Sequence, residues 1–288
     1  MENNKITVFG ASGNIGSLLI QLLSKAQIET IAVTRDRKTA TGLPFIHWVQ
    51  ADISQKESLY ATMENSKAVF LLSGNSPTAV EDQINVIDVA KEMAIKHIVK
   101  LSSGAADPSS ILYIPRIHGQ VEHYLITSGI HYTMLRPNGI MQNWLGEIAN
   151  TVRKERKFYE ATGDGKRAHV DRRDIADVAF ACLTAPETHF DKIYLLTSDK
   201  AVSYFDVATA ISNAINEKVT YCPISIAQAK QHMEEKNMPA ALIETFLAYD
   251  SAQRNGETEI VTNCVNTILG YPARTLEDFA AEYATYFK

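Results

Sequence analysis

Residues 5–25 read KITVFGASGNIGSLLIQLLSK, and the glycines in this stretch, Gly10, Gly13 and Gly16, fall three residues apart. What flanks them decides the reading. Ile6, Val8 and Phe9 form a short apolar run with β-branched residues, the composition of a buried parallel strand. Beyond the loop, Ile15, Leu18, Leu19, Leu22 and Leu23 recur at the i, i+3, i+4 spacing of a helix with one buried face. The glycines therefore sit on a strand-to-helix turn. Such a turn aims main-chain N–H groups and the positive end of a helix dipole at an anion, and without a Cβ a pyrophosphate can approach closely. The spacing G-x-x-G-x-x-G differs from the commoner G-x-G-x-x-G and from a P-loop, since no Gly-Lys-Ser/Thr follows.

The alternation continues. Residues 29–36 (ETIAVTRD), 45–53 (FIHWVQADI), 67–74 (KAVFLLSG), 97–103 (HIVKLSS) and 131–138 (HYTMLRPN) read as strands, with helices over about 78–95 and 115–128. Strands alternating with helices predict an α/β fold, a doubly wound parallel sheet of the Rossmann type, over residues 1–140. Beyond Gly139 the rhythm loosens into a loop and helix at 139–155, a polar turn at 162–166, a helix at 171–187, a strand at 192–198 and a helix at 203–215. A short strand at 218–224, helices through 226–252 and a last helix at 275–287 follow. With no repeat or Pro-rich linker, residues 141–288 read as a smaller C-terminal α/β substrate lobe packed on the first domain, some of its segments returning to the sheet.

Composition sets outer limits. The 288 residues are 45% hydrophobic and 21% charged, an ordinary globular balance, and the net charge of −5 argues against nucleic acid as a partner. The one basic run, RKERK at 153–157, reads as the solvated end of a helix. The cysteines, Cys182, Cys222 and Cys264, are dispersed and outside any C-x-x-C pair, which suggests neither a disulfide framework nor zinc and suits a reducing compartment. No signal-peptide run precedes the first strand and no stretch is apolar for the length of a bilayer, so the expectation is a cytoplasmic protein with no membrane partner. There is no G-x-S-x-G elbow and no H-E-x-x-H, and no metal is expected.

The second strand speaks to which nucleotide is held. An NAD enzyme ends that strand in an acid that binds the ribose, whereas NADP needs groups that tolerate a 2′-phosphate. Here Thr34 holds the position and Arg35 follows, with Arg37 and Lys38 close behind, which favours NADP(H) over NAD(H) because a guanidinium binds phosphate bidentately. Asp36 remains available to a ribose, and TRDRK also reads as a charged surface turn. At the end of the third strand, Asp52 and Ile53 stand where a side chain and main chain can recognise adenine, although Asp52 equally suits the start of the next helix.

Taken in order, FGASGNIG at 9–16, LLSG at 71–74, KLSS at 100–103, HYTMLRPNGIMQN at 131–143 and DRRDIADVAFACL at 171–183 resemble the NmrA-like group of atypical short-chain dehydrogenase/reductases over nearly the whole chain. That group includes quinone and triphenylmethane dye reductases, isoflavone-type reductases and NADP-sensing regulators. The resemblance implies that Gly10, Ser12, Gly13, Asn14, Ile15 and Gly16 hold the pyrophosphate and Arg35 the 2′-phosphate. It implies that Ser73 and Gly74 line the cofactor near the nicotinamide ribose, and that Pro137, Asn138 and Ile140 contact the nicotinamide end. Met141 and Trp144 then face the substrate, unless they simply pack an irregular helix.

One departure shapes the chemistry. Short-chain dehydrogenases carry Tyr-x-x-x-Lys on the helix after the fifth strand, and here no tyrosine has a lysine four residues on. Aligned on Glu122, the lysine place falls on His118 and the tyrosine place on Ile114, next to Tyr113. Hydride transfer to an electron-poor acceptor such as a quinone or another conjugated compound asks less of the protein than carbonyl reduction. The expectation is an NADPH-dependent oxidoreductase of a small apolar acceptor, with an NADP(H)-binding redox sensor as the alternative, as a monomer or homodimer. His118 is the candidate to hold the ribose and relay a proton, its intrinsic pKa lying near neutrality, with Ser102 or Ser103 binding substrate or orienting it. His169 reads as structural, and Asp171 or Asp174 as a cap or as a partner for Arg172 and Arg173.

Overall fold

The structure is a computed structural model that describes residues 5–36 and 40–288. It divides into two compact units, the first made of Met1–Arg136 and Ile175–Leu195, the second of Pro137–Asp174 and Leu196–Lys288. The strands in chain order are β1 (Lys5–Val8), β2 (Thr30–Thr34), β3 (Ile46–Gln50), β4 (Ser66–Leu71), β5 (His97–Leu101), β6 (His131–Pro137), β7 (Lys157–Glu160), β8 (Lys192–Leu196) and β9 (Thr220–Pro223).

The first unit carries a seven-stranded sheet in the order β3-β2-β1-β4-β5-β6-β8. The pairs from β3 through β6 are all parallel. At the far edge, Asp191 N–H donates to the Tyr132 carbonyl and Asn138 N–H to the Leu196 carbonyl, so β8 runs along β6 in the same sense. The helices are α1 (Gly16–Lys25), α2 (Lys56–Leu59), α3 (Ala79–Glu92) and α4 (Tyr113–Thr127). Every residue of β2 and β5 is buried, as expected of parallel strands covered on both faces. On one face Phe9, Val69, Leu71 and Ile98 meet Val86, Val89 and Ala90 of α3 and Val121 and Leu125 of α4. Each such side chain contributes about 1.5–3 kcal/mol on leaving water.

Several polar groups inside this unit are paired. Thr7 Oγ1 donates to the Thr62 carbonyl at 2.6 Å and lies 2.8 Å from Ser66 Oγ. His97 in β5 meets Thr133 Oγ1 of β6 at 2.8 Å, and that hydroxyl donates to the His189 carbonyl at 2.7 Å. Glu122 of α4, only 2% exposed, binds the Arg136 guanidinium of β6 through two nitrogens. Breaking such a buried pair typically costs about 3–5 kcal/mol, because the remaining charge stays unpaired.

The second unit holds α5 (Glu147–Glu155), α7 (Tyr204–Ile215), α8 (Ile226–Glu235), α9 (Ala240–Arg254), α10 (Cys264–Leu269) and α11 (Leu276–Glu282), while α6 (Arg172–Thr184) begins in it and ends in the first. Its core gathers Trp144, Ile148, Val152, Phe158, Ile211, Phe279 and Phe287. Three helices start where local chemistry dictates. Ser203 with Asp206, Ser225 with Gln228 and Thr275 with Asp278 each form a reciprocal capping box opening α7, α8 and α11. The parallel pair of β7 with β9 was not read from the sequence. Residues 153–155 are the exposed end of α5 as expected, but Arg156 turns into the left-handed region at φ 55° and Lys157 begins β7. Asp171 pairs with Arg173 as expected, whereas Asp174 binds Arg274 instead of Arg172 or Arg173, accepting from its main-chain N–H at 2.8 Å as well as from its guanidinium. Its carboxyl is fully enclosed, and the chain around residue 274 brings the nearest donors to it.

Among the described residues no helix is long and apolar enough to cross a membrane. Gly165 lies under α9, where an added Cβ would stand 2.0 Å from the Gln253 carbonyl oxygen. The Gln253 side chain donates to the Gly165 carbonyl at 3.0 Å, so the two segments are clamped together. Gly165→Val is therefore expected to lower stability by about 1–3 kcal/mol, read as a lower urea midpoint. An unchanged midpoint would show that α9 moves away without cost.

Candidate functional site

In the first unit the strand order reverses at β1, and in such sheets the binding crevice opens beyond the carboxyl ends of the strands at that point. The strands being parallel, the segments that leave β1, β2, β3, β4 and β5 come to one edge. They hold the glycine turn, Thr34 and Arg35, Asp52 and Ile53, Ser73 and Gly74, and Ser102 and Ser103.

The glycine turn is built by close approach. A Cβ on Gly16 would lie 2.1 Å from the Gly10 carbonyl oxygen, and one on Gly10, whose φ is +71°, would lie 2.8 Å from the Leu72 carbonyl oxygen. Gly13 N–H donates to the Gly10 carbonyl at 3.0 Å and closes the turn. Ala11, Ile15 and Gly16 point inward, while Ser12, Gly13 and Asn14 are exposed at its tip. α1 opens there with no side-chain cap on Ile15 and no acid in its first turn. The positive end of the helix is thus left without a competing anion, a cradle that fits the pyrophosphate of a dinucleotide.

At the end of β2, buried Thr34 fixes the chain by donating to the Asp36 carbonyl at 3.0 Å and accepting from Asp36 N–H at 3.2 Å. Arg35 is exposed beyond it, with its carbonyl held by the Gln50 side chain at 3.0 Å. Arg37 and Lys38 lie outside the described residues. Asp52 accepts from Ser54 N–H and Ser54 Oγ, which together with the nearby Arg35 charge hold its carboxyl below the ordinary carboxylate value. It shapes the turn before α2, whose first residue, Lys56, follows Gln55 as the cap position. Ile53 is half-buried and its carbonyl accepts from Asn85 at 3.1 Å. Ser73 Oγ donates to the Gly74 carbonyl at 3.2 Å, and a Cβ on Gly74 would meet open space.

After β5, Ser103 Oγ accepts from Ala105 N–H at 3.4 Å, and the buried Ser102 Oγ has no hydrogen-bond partner among the described residues. His118 is brought to this edge by α4. Its Nδ1 stands 3.3 Å from Nζ of Lys100, a residue with 0% exposure one position before the end of β5. Burial first, and the Lys100 charge second, push the imidazole pKa down to about 3. The expectation of a ring titrating near neutrality differs from this: burial and the Lys100 charge both favour the neutral imidazole. Tyr113 opens α4 and donates its hydroxyl to the Ser76 carbonyl at 2.6 Å. Lys100 went unread, although the signal was present: a lysine inside HIVKLSS, a strand with both faces covered, has to be buried.

In the second unit, Asn138 donates its side-chain amide to the Thr258 carbonyl at 3.0 Å, and Pro137 ahead of it is buried. Ile140 bridges to Val170, and Met141 N–H donates to the Val170 carbonyl at 3.0 Å. Met141 and Trp144 are 1% and 2% exposed, in the core and not on an open face. Trp144 packs against His169 at 4.7 Å and edge-on to Phe279 at 5.3 Å between ring centroids. The short 3-10 turn at Met141–Leu145 directs these side chains inward against α11. His169 is buried as a structural residue, its Nδ1 3.2 Å from the Arg167 carbonyl.

The sequence profile of the NmrA-like family matches residues 2–280. The chain is 32% identical over 284 residues to an NAD(P)H azoreductase of Xenophilus azovorans, covering 98% of this chain and 99% of that protein. A crystal structure of an Escherichia coli NADPH-dependent quinone oxidoreductase complexed with NADPH superposes with a TM-score of 0.86 at 26% identity, covering 96% of this chain and 99% of that one. The Citrobacter sp. triphenylmethane reductase complexed with NADP(H) gives a TM-score of 0.82 at 25% identity, with 97% and 99% covered.

Three imidazoles, His97 and His169 buried and His118 half-buried, set a pH dependence. His97 is pushed down to about 4 and His118 and His169 to about 3, in each case mainly by desolvation. Below the ordinary histidine value the unfolded chain takes up protons that the folded chain refuses, so stability falls as pH drops from about 6.5 towards about 4. The urea midpoint is expected to decline across that window, and His169→Gln to make the decline shallower. A midpoint independent of pH there would show that these rings titrate normally in the fold.

Proposed function

This chain belongs to the NmrA-like family, and on that premise we propose that it is an NADPH-dependent oxidoreductase that passes hydride to a small, flat, apolar acceptor such as a quinone, an azo compound or another conjugated system. The observation that carries the reading is the glycine turn. Close approach of Gly16 to Gly10 exposes Ser12, Gly13 and Asn14 at the uncapped start of α1, on the edge where the strand order reverses.

The nicotinamide ring, when bound, supplies the hydride; the protein binds and orients. In this proposal Gly10, Ser12, Gly13, Asn14, Ile15 and Gly16 form the turn that holds the pyrophosphate, Gly13 by the N–H that closes it on the Gly10 carbonyl. Arg35 takes the 2′-phosphate, which gives NADP(H) its preference over NAD(H), and Asp52 and Ile53 flank the adenine. Ser73 and Gly74 line the path towards the nicotinamide ribose, and Pro137, Asn138 and Ile140 take the nicotinamide end. Met141 and Trp144 act on the acceptor by packing that fixes the segment after Ile140. Ser102, Ser103 and His118 are the polar groups offered to the acceptor or the ribose. A neutral imidazole suits hydrogen bonding to developing negative charge, and acceptors that stabilise their own charge need no stronger acid.

The experiment is oxidation of NADPH, followed by its absorbance, with quinones, azo dyes, triphenylmethane dyes, enones and imines, alongside calorimetric binding of NADPH, NADP and NADH. Turnover well above background with one acceptor class is expected. Tight binding with no turnover on any of them would favour the sensor reading. Arg35→Ala is expected to weaken NADPH binding by about 10-fold or more while leaving NADH unchanged, since it removes a charge-assisted contact to phosphate. An unchanged NADPH/NADH ratio would overturn the 2′-phosphate assignment.

A further inference from the structure

Lys100 is fully buried in β5, a strand with every residue buried. Its Nζ donates to the Leu101 carbonyl at 3.0 Å and faces His118 Nδ1 at 3.3 Å. We propose that Lys100 is the positioning residue for His118: its ammonium donates to Nδ1, keeps the ring proton on Nε2, and so makes Nε2 a fixed hydrogen-bond donor.

An ammonium has three donors and no lone pair, so the ring nitrogen it meets must be an acceptor. A neutral imidazole has one proton, which then has only Nε2 to occupy. No hydrogen bond to Nε2 occurs among the described residues, and that nitrogen is left for a ligand. A cationic neighbour also opposes protonation of the ring, consistent with the very low imidazole pKa. The other charges facing the pair are Glu122, one helical turn along α4 from His118, and Arg136 of β6, which engages Glu122 through Nε at 2.9 Å. Burial lowers the lysine to about 8 while Glu122 pulls it the other way, so near neutral pH the ammonium form prevails. Above that value the amine can accept as well as donate, and the proton is free to move to Nδ1. Ser102 follows the end of β5 two residues beyond Lys100, and its buried hydroxyl has no hydrogen-bond partner among the described residues.

The catalytic meaning rests on the reductase reading: a donor that does not become cationic polarises the oxygen or nitrogen of the acceptor as hydride arrives. The tautomer does not rest on it. The test is therefore nitrogen-15 NMR of histidine-labelled full chain, without ligand, across about pH 6 to about pH 10, a range that brackets the lysine value. His118 is expected as a single Nε2–H tautomer near neutrality, giving way to a mixture with a midpoint near that of Lys100. In Lys100→Met the mixture is expected at every pH, with the imidazole pKa raised, and in Lys100→Arg, which keeps an N–H donor, the single tautomer is expected to survive to higher pH. A His118 that is Nδ1–H or protonated near neutrality overturns the proposal, and so does a wild-type spectrum with no step near the lysine value. The wild-type titration decides even where Lys100→Met does not fold. Absence of NADPH oxidation would sink the reductase reading and leave these spectra as they are; a failed tautomer shows in the spectra whatever the turnover.

Discussion

A parallel sheet covered on both faces leaves polar groups two choices, a partner inside or a place at the strand ends, and the first unit follows from that constraint. β2 and β5 are buried along their whole length, so what the chain presents to a ligand is gathered beyond the carboxyl ends, where strands give way to loops. Four of the polar side chains that remain inside are tied to specific partners: Thr7 to the Thr62 carbonyl, His97 to Thr133, Glu122 to Arg136 and Lys100 to His118. The last two ties both end on α4, so the helix that carries His118 is fixed by charge as well as by Val121 and Leu125.

What could be read ahead of the structure was what short-range pattern encodes. The glycine turn, the succession of strands and helices in the first half, and the starts of α7 and α11 are all written within a few residues of one another. What escaped is set by distance along the chain. β7 is four residues of mixed polarity whose strand identity comes from pairing with β9, about sixty positions away. Asp174 finds Arg274 rather than its neighbour Arg173 for the same reason. Met141 and Trp144 have composition that serves a ligand and a core equally well, and only packing against Phe279 and His169 distinguishes them. Lys100 was legible in principle, since a charged residue inside a doubly covered strand has to be accommodated. That inference needs the neighbours of the strand as well as its letters.

The site brings an unusual pair to a place where a tyrosine and lysine would do acid–base work. Tyr113 is next to that place, and its hydroxyl donates to the Ser76 carbonyl in the loop after β4. Histidine held neutral by burial offers polarity without acidity. In the proposed reductase, such a group would suit acceptors that delocalise the incoming electron pair better than simple ketones, which need a proton in the transition state.

The first unit is also interrupted: its sheet is completed only by residues 175–195, after the chain has left to begin the second unit. During synthesis β6 therefore emerges as an edge strand, and it stays unpaired on one side until β8 is made some fifty-five residues later. Its Asn138 N–H and Tyr132 carbonyl, both satisfied by β8 in the finished protein, are open throughout that interval. Exposed edges recruit other strands, so the stretch of translation between Pro137 and Leu196 is the window in which the nascent chain is most exposed to mispairing, and the timing of β8 closes it.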